Sequence, residues 1–273
     1  MTWWQAVVLG IVEGITEYLP VSSTGHLIVA ERLMKLATSP AFNAYTVCIQ
    51  AGAIAAVLGL YLGRVRQMVM GVLGRDREGL QLVRNIAVGF LPAAVTGLLL
   101  GSLIERYLFG LWPVVASWLV GGVVILLVAR RFSGPSSVGV TLEGMGWSAA
   151  LVIGVAQCVA MWPGTSRSLV TILAALLLGL SLDAAVEFSF LLGVVTLTAA
   201  TGYEALKSGT AMVHTIGWGN IAIGFVTAAL FAALAVKWMV GYLRRHGLQL
   251  FGYYRLAIGL AAAALLVAGI LRD

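Results

Sequence analysis

The sequence has little charge: only 10% of its 273 residues are Asp, Glu, Lys or Arg, whereas 60% are hydrophobic. A soluble domain averages about 25% charged residues. This shortage therefore excludes an ordinary soluble protein and predicts a polytopic membrane protein. The formal net charge is +6, but the basic residues lie in short loops between apolar runs. That placement indicates membrane topology and no nucleic-acid partner.

Several motifs are also absent. The two cysteines, Cys48 and Cys158, have no CxxC spacing, so we expect packing thiols and no disulfide framework. The N-terminus has no basic region, and its first apolar run contains Glu13 and Glu17, which argues against a cleaved signal peptide. The absence of a GxxxxGKS/T loop argues against a nucleotide-driven pump.

Ten apolar runs occupy most of the chain, and a spanning helix needs about 20 residues. Six runs are long enough to span: 44–62, 85–104, 112–129, 186–206, 216–240 and 253–271. Four are too short, and each pair is joined by a break that contains proline: 6–19 with 27–37, and 148–162 with 169–180. We therefore predict an all-α polytopic membrane protein in which each half is a re-entrant helical hairpin plus three transmembrane helices.

The order of these runs predicts a single membrane domain over 1–273, with a first repeat at 1–131 and a second at 147–273. Three spans per half is an odd number, so the second repeat should be inverted relative to the first. At one constant offset Pro20 aligns with Pro163, Ser23 with Ser166, and Tyr45 with Phe188.

Loop charge gives the expected orientation. With the N-terminus outside, the loops 63–84, 130–147 and 237–252 face the cytoplasm and contain about twice as many basic residues as the opposite side. Both chain ends would then lie outside.

The first break carries two carboxylates, Glu13 and Glu17, whose spacing places them on one face of a helix. Like charges so close need compensation, and Mg²⁺ or Ca²⁺ would bind both while leaving positions for phosphate oxygens. The alternatives are that one carboxyl is protonated or that one is paired with an arginine.

The hydroxyls Ser22, Ser23 and Thr24 follow, with Gly25 and His26, at the start of the next helix. Free N–H groups at a helix N-terminus bind anions, although capping alone could account for two of the hydroxyls. Beside two glutamates, His26 is predicted to be catalytic.

The second break provides the cation. Arg167 lies at the break of the second short apolar hairpin, and its guanidinium suits bidentate phosphate binding. A structural ion pair with Glu13 or Glu17 is the alternative. The other candidate ligand-binding residues around this break are Gln157, Gly164, Thr165, Ser166, Ser168 and Thr171. Together the two breaks have the groups needed for phosphoryl transfer.

These residues resemble the bacterial undecaprenyl-diphosphate phosphatase family of the bacitracin-resistance type. Its ExxxE motif is matched by Glu13 and Glu17 within EGITEYLPVSSTGH, and its PGxSRSxxT motif is matched from Pro163 to Thr171. The resemblance covers nearly the whole chain, including EFSFLL at 187–192.

The resemblance implies an enzyme that removes the terminal phosphate of undecaprenyl diphosphate, recycles the carrier for cell-wall synthesis and gives bacitracin resistance. It also implies dependence on Mg²⁺ or Ca²⁺, a multi-pass location in the bacterial inner membrane among lipids, and a site facing the outer side. Arg167 would clamp the phosphates, and Glu13 and Glu17 would hold the cation or tune the base. Either Ser23 or His26 would attack phosphorus.

Two other classes of protein fit the same pattern. Inverted repeats are equally typical of a transporter or flippase for a lipid phosphate, and a non-catalytic membrane assembly protein is the third reading. The oligomeric state is open, with a homodimer among the alternatives, as are chain-length preference and any coupling of hydrolysis to lipid flipping.

Overall fold

A computed structural model describes residues 1–36, 39–130 and 138–271, so the end of the predicted first repeat, 131, lies outside the described residues. Eleven α-helices occur in that part of the chain. In order they are α1 (Trp3–Thr16), α2 (Ser23–Leu33), α3 (Pro40–Leu60), α4 (Leu62–Val72), α5 (Arg77–Leu108), α6 (Leu111–Ala129), α7 (Trp147–Gln157), α8 (Arg167–Leu177), α9 (Leu182–Ile216), α10 (Trp218–His246) and α11 (Gln249–Val267).

Six of these helices are long and apolar enough to cross a membrane: α3, α5, α6, α9, α10 and α11. They correspond to the six predicted spans, although α9 and α10 extend further, to 35 and 29 residues. The prediction of an all-α polytopic membrane protein is confirmed.

Two pairs of short helices form the predicted hairpins. α1 has 14 residues and α2 has 11, while α7 and α8 have 11 each, with a 3-10 turn over Cys158–Met161 between them. None of the four reaches the length needed to span a bilayer.

The two breaks have the same backbone conformation at the serine that caps their second helix. Ser22 precedes α2 with φ 75° and ψ 104°, and its side chain accepts from Gly25 N. Ser166 precedes α8 with φ 76° and ψ 113°, and accepts from Leu169 N. The expected alignment of Ser23 with Ser166 is therefore wrong by one residue, because the second break has one more residue between its proline and its capping serine.

The prediction that 63–84 is a loop is also wrong. It contains α4, whose Arg64 lies 2.7 Å from Glu187 and 2.9 Å from Glu143 in ion pairs. Arg64 therefore joins α4, α9 and the segment before α7.

Helix packing follows the division into halves. α1 packs on α10 and α7 packs on α5, while α3 lies against α9 and α6 against α11. Glycine permits two of these approaches: a Cβ on Gly14 would lie 2.9 Å from Ala232 N, and one on Gly154 would lie 2.8 Å from Gly89 Cα. The first helix of each hairpin, α1 or α7, is thus packed on a span of the other predicted repeat.

Candidate active site

The two breaks meet at a cleft of about 200 Å³. Its polar lining comes mainly from the breaks, with apolar groups from α5, the 3-10 turn and α9. The lining residues are Glu17, Ser22, Ser23, Thr24, Gln50, Ala93, Phe109, Gln157, Ala160, Met161, Pro163, Gly164, Ser166, Arg167, Thr196 and Leu197. The sequence placed two polar breaks in apolar surroundings, and the structure brings them together.

A chain of contacts runs from a hydroxyl to a guanidinium across the cleft. Ser23 Oγ donates a short hydrogen bond to Glu17 Oε2. Glu17 Oε1 accepts from Arg167 Nη2 at 3.3 Å. Both oxygens of Glu17 are therefore engaged, one by each break, and the carboxylate lies where it can accept the proton of Ser23.

The guanidinium of Arg167 is held on three sides. Its Nη1 donates to Ser189 O at 2.8 Å, and its Cζ lies 5.1 Å from the centroid of the Tyr18 ring, within cation–π range. Its Nε has no hydrogen-bond partner. A charged donor fixed in this way beside a cleft suits an anionic ligand.

The N-termini of α2 and α8 both open on the cleft. Ser22, Ser23 and Thr24 line it from the first break, and Ser166 and Arg167 from the second. Ser166 Oγ also lies 3.4 Å from Leu19 O, a carbonyl of the other break. Two helix N-termini facing one space favour a phosphate or diphosphate group there.

Glu13 lies one turn before Glu17 and is fully buried. Neither of its carboxylate oxygens has a hydrogen-bond partner, and it does not line the cleft. An isolated buried carboxylate is costly, so Glu13 calls for a cation or a proton. The described residues contain no group of three His, Cys, Asp or Glu side chains able to hold a metal. Mg²⁺ usually takes one or two carboxylates plus substrate phosphates, so Glu13 and Glu17 would hold it together only where Glu17 gives up its contact with Ser23 or Arg167.

Gln157, the last residue of α7, also lines the cleft. Its Oε1 accepts from Thr196 Oγ1 at 3.4 Å, whereas its Nε2 is buried without a partner. A ligand oxygen in the cleft would satisfy that donor.

His26 lies outside the cleft lining. Its Nδ1 is 2.6 Å from Ser22 O, and its Nε2 is 2.8 Å from Tyr254 Oη. Because a carbonyl only accepts, Nδ1 carries the hydrogen and Nε2 accepts from the tyrosine. The ring also stacks on Tyr254. Both nitrogens are therefore engaged away from the cleft.

The remaining predicted residues support the break backbones. Ser168 Oγ donates to Leu19 O at 3.0 Å, and Thr171 Oγ1 lies 2.7 Å from Ser189 Oγ. Thr165 is outside the lining, and its N–H donates to Trp162 O at 3.1 Å.

Both glycines of the motifs face α6. A Cβ on Gly25 would lie 2.9 Å from the Trp118 ring, and one on Gly164, where φ is +91°, would lie 3.0 Å from Val114 Cα. Their small size therefore allows the breaks to approach α6 closely.

Sequence reasoning missed four residues around the site: Gln50, Ser189, Thr196 and Arg255. Only Arg255 had a readable signal, because an arginine within an apolar run marks a functional or structural site by default. Ser189 contacts Arg167 through its main-chain oxygen, which no side-chain pattern reveals.

The fold and the cleft define a multi-pass membrane protein with a polar cleft between the breaks of two short helical hairpins. The model of the family described as bacitracin resistance protein BacA matches residues 6–261. The chain therefore belongs to the BacA family.

Relatives of similar length are named for one activity. Undecaprenyl-diphosphatase 2 of Rhodospirillum rubrum is 44% identical over 95% of this chain and 93% of its own length. The undecaprenyl-diphosphatase of Sorangium cellulosum is 42% identical over 95% of this chain and 85% of its own. That of Bradyrhizobium diazoefficiens is 42% identical over 93% and 94%.

Proposed function

We propose that this protein hydrolyses undecaprenyl diphosphate to undecaprenyl phosphate and inorganic phosphate. The observation that carries the proposal is the array of Ser23, Glu17 and Arg167 across the cleft. Family membership and relatives named for this activity support it. The reaction would recycle the lipid carrier for cell-wall synthesis and give resistance to bacitracin.

Ser23 is the nucleophile in this proposal. Its Oγ forms a bond to the terminal phosphorus as the bond from that phosphorus to the bridging oxygen breaks, so undecaprenyl phosphate leaves. The proton of Ser23 passes to Glu17, which already accepts its hydrogen bond. Arg167 donates to the phosphate oxygens and stabilises the charge that they develop.

Water completes the cycle. Glu17 first releases the proton of Ser23 to solvent and then takes a proton from the water as the water oxygen attacks the phosphoserine; the bond from phosphorus to Ser23 Oγ breaks, inorganic phosphate leaves, and Oγ receives the proton from Glu17. Glu17 is the group in contact with Ser23 that can accept and return these protons. Substrate phosphates would also satisfy Gln157 Nε2 and Arg167 Nε, which lack partners.

His26 has a supporting role in this scheme. Both of its ring nitrogens are engaged, by Ser22 O and by Tyr254 Oη. For Nε2 to attack phosphorus, its hydrogen bond with Tyr254 would have to break and the imidazole ring would have to rotate toward the cleft. His26 therefore fixes the Ser22 carbonyl and, through it, the start of α2.

Glu13 and Glu17 would hold Mg²⁺ or Ca²⁺ together with phosphate oxygens of the substrate. A divalent cation there would neutralise charge on the phosphates. Glu13 is the carboxylate with both oxygens available for this purpose.

The proposed location is the bacterial inner membrane, with the cleft open to the outer side and the prenyl chain among the lipids. Ala93, Met161 and Leu197 give the cleft an apolar border for the first prenyl units. The proposed inverted repeat is supported by the exchange of packing partners, α1 on α10 and α7 on α5, and by the two matching serine caps. Assembly as a homodimer is compatible with this arrangement.

Cysteine labelling tests the orientation. In a background with Cys48 and Cys158 replaced by serine, Arg75→Cys should react only with reagent on the cytoplasmic side and Lys207→Cys only with reagent outside. Both positions are exposed. Labelling of both from one side would refute the inverted arrangement.

Phosphate release by purified protein in detergent tests the reaction itself. An enzyme needs no sealed compartment, so wild type should release phosphate from undecaprenyl diphosphate, and Arg167→Ala should not. A wild-type protein that binds the lipid without releasing phosphate would favour the transporter alternative.

A further inference from the structure

Arg255 on α11 is fully buried and lies outside the cleft lining. Its Nη2 donates to Ser117 O at 2.7 Å and to Gly164 O at 2.9 Å, and its Nη1 donates to Pro20 O at 3.4 Å. In the ranges 1–36, 39–130 and 138–271, its polar contacts are main-chain carbonyl oxygens, and no carboxylate pairs with it.

Two of these carbonyls belong to the two breaks: Pro20 to the first and Gly164 to the second. Breaks that are 144 residues apart in sequence, counted from Pro20 to Gly164, are thus joined through one guanidinium. A lysine ammonium could not reproduce the planar fork that reaches several acceptors at once.

The third carbonyl belongs to Ser117 on α6. Side chains of α6 also donate hydrogen bonds to both breaks, independently of Arg255. Ser117 Oγ donates to Pro163 O at 3.0 Å, and Trp118 Nε1 donates to Val21 O at 3.1 Å. α6 and α11 pack together. These two spans therefore form a clamp, made of Ser117, Trp118 and Arg255, behind the two break backbones.

Gly121 on α6 leaves the space that the buried guanidinium of Arg255 occupies. A Cβ on Gly121 of α6 would lie 2.8 Å from Arg255 Cζ. A buried guanidinium is costly unless its geometry and its hydrogen bonds are good. A hydrophobic side chain would fill the same space without joining the breaks, so packing alone does not account for an arginine.

We propose that Arg255 is a positioning residue that sets the separation of the two breaks, so that Ser23 and Glu17 of the first meet Arg167 of the second. This inference rests on the proposed hydrolysis for its kinetic test, but its geometric test is independent of activity. Arg255 itself does not line the cleft, and its hydrogen bonds go to Pro20, Ser117 and Gly164 and to none of the reacting groups.

The kinetic test is a double-mutant cycle in full-length protein with undecaprenyl diphosphate. In folded, monodisperse Arg255→Met, kcat should fall by about a hundredfold, the scale of a misplaced reacting group, and Arg255→Lys should recover part of it. In an Arg167→Lys background the further cost of Arg255→Met should be much smaller, because the group that it aligns is already impaired. The matched control is Arg106→Met, which removes an exposed arginine away from the cleft.

The geometric test measures the distance between spin labels on Thr24→Cys and Thr165→Cys, one on each break, with Cys48 and Cys158 replaced by serine. Arg255→Met should broaden or shift that distance, and Arg106→Met should not. A wild type that releases no phosphate would refute the proposed function while this measurement still tests the clamp.

Three results would overturn the inference: full kcat in folded Arg255→Met, an additive cycle, or an unchanged distance. If neither Arg255→Met nor Arg255→Lys accumulates as folded protein, Gly121→Ala provides the same comparison, since it displaces the guanidinium without removing it. Failure of all three to fold would assign Arg255 to stability and overturn the positioning role.

Discussion

The two breaks share a backbone but differ in chemistry. Each begins its helix after a serine with φ near 75°, copied almost unchanged between Ser22 and Ser166. The residue directly after the cap is Ser23 in the first break and Arg167 in the second. The comparison shows one backbone conformation that opens a helix N-terminus on the cleft, used once to place a hydroxyl and once to place a guanidinium.

The residues that precede the two breaks also differ in charge. The first break has two buried carboxylates before it, Glu13 and Glu17. The second has Gln157, a neutral residue, at the corresponding end of its first helix. In the proposed function the first break handles protons and cations and the second binds negative charge, so five substitutions can break or sharpen this division.

Ser23→Ala should have the largest effect. We expect kcat to fall by about a thousandfold, within the range attributed to the loss of nucleophile and proton-transfer contributions. The measurement is single-turnover hydrolysis with label in the terminal phosphate, followed by acid quench. Wild type should carry acid-stable label on Ser23, and Ser102→Ala, an exposed control, should behave as wild type. In a parallel base quench, label that survives base, is lost in acid and disappears in His26→Gln would show instead that His26 attacks.

Arg167→Lys should have the second-largest effect. The charge is kept, but the fork that contacts both Ser189 O and Glu17 is lost. We expect kcat/KM to fall by at least about tenfold, the scale of one charge-assisted contact. Arg106→Lys is the matched control, because Arg106 also lies over a tyrosine ring, at 5.5 Å, but outside the cleft. Full activity in Arg167→Lys would remove Arg167 from the phosphate clamp.

The glutamate pair should show a smaller effect on cation dependence. Chelator should abolish phosphate release, and Mg²⁺ or Ca²⁺ should restore it. Glu13→Gln and Glu17→Gln should each raise the cation concentration for half activity severalfold, since each removes a charged oxygen while keeping shape. Only Glu17→Gln should also lower kcat at saturating cation, because Glu17 accepts from Ser23.

Activity measured against cation concentration in wild type and both variants distinguishes these roles. Unshifted curves in both variants would refute metal ligation by the pair. Glu17 would then act as the base and as the partner of Arg167.

Tyr254→Phe should have the smallest effect. It removes the hydroxyl that donates to His26 but keeps the stacked ring. A single neutral hydrogen bond contributes about 1 kcal/mol, so we expect a loss of about fivefold or less in kcat. Tyr253→Phe, on the exposed neighbour in α11, should have no effect. A loss as large as that of Ser23→Ala would place the orientation of His26 in the chemical step.

Local patterns predicted much of this molecule. Hydropathy alone gave six spans and two short hairpins, because a bilayer fixes the length of an apolar helix. The polar breaks could be found because ionisable residues in apolar runs are exceptional. Hydropathy missed α4, whose residues Leu62–Val72 follow α3 after Tyr61 alone and include Arg64 and Arg66. Its charge made it resemble a loop.

Contacts between residues that are distant in sequence were harder to predict. The alignment of Ser23 with Ser166 failed because constant offset counts residues, whereas the cap is set by backbone dihedral angles. Glu187 belongs to a motif that resembles the family, yet it pairs with Arg64 far along the chain. His26 was predicted in the catalytic group from sequence neighbours, but its second ring nitrogen is bound by Tyr254, 228 residues away.

By itself, the sequence determined the class of protein, the number of long helices and the composition of each break, because hydrophobicity and the positions of proline, glycine and charge are local properties. Tertiary structure alone decided that the two breaks share one cleft and that Ser23 and Arg167 meet through Glu17. It also turned His26 toward Tyr254 and placed Arg255 behind both breaks. These relations depend on packing between helices that are distant in sequence, where close approach at Gly14 and Gly154 sets which backbones can meet.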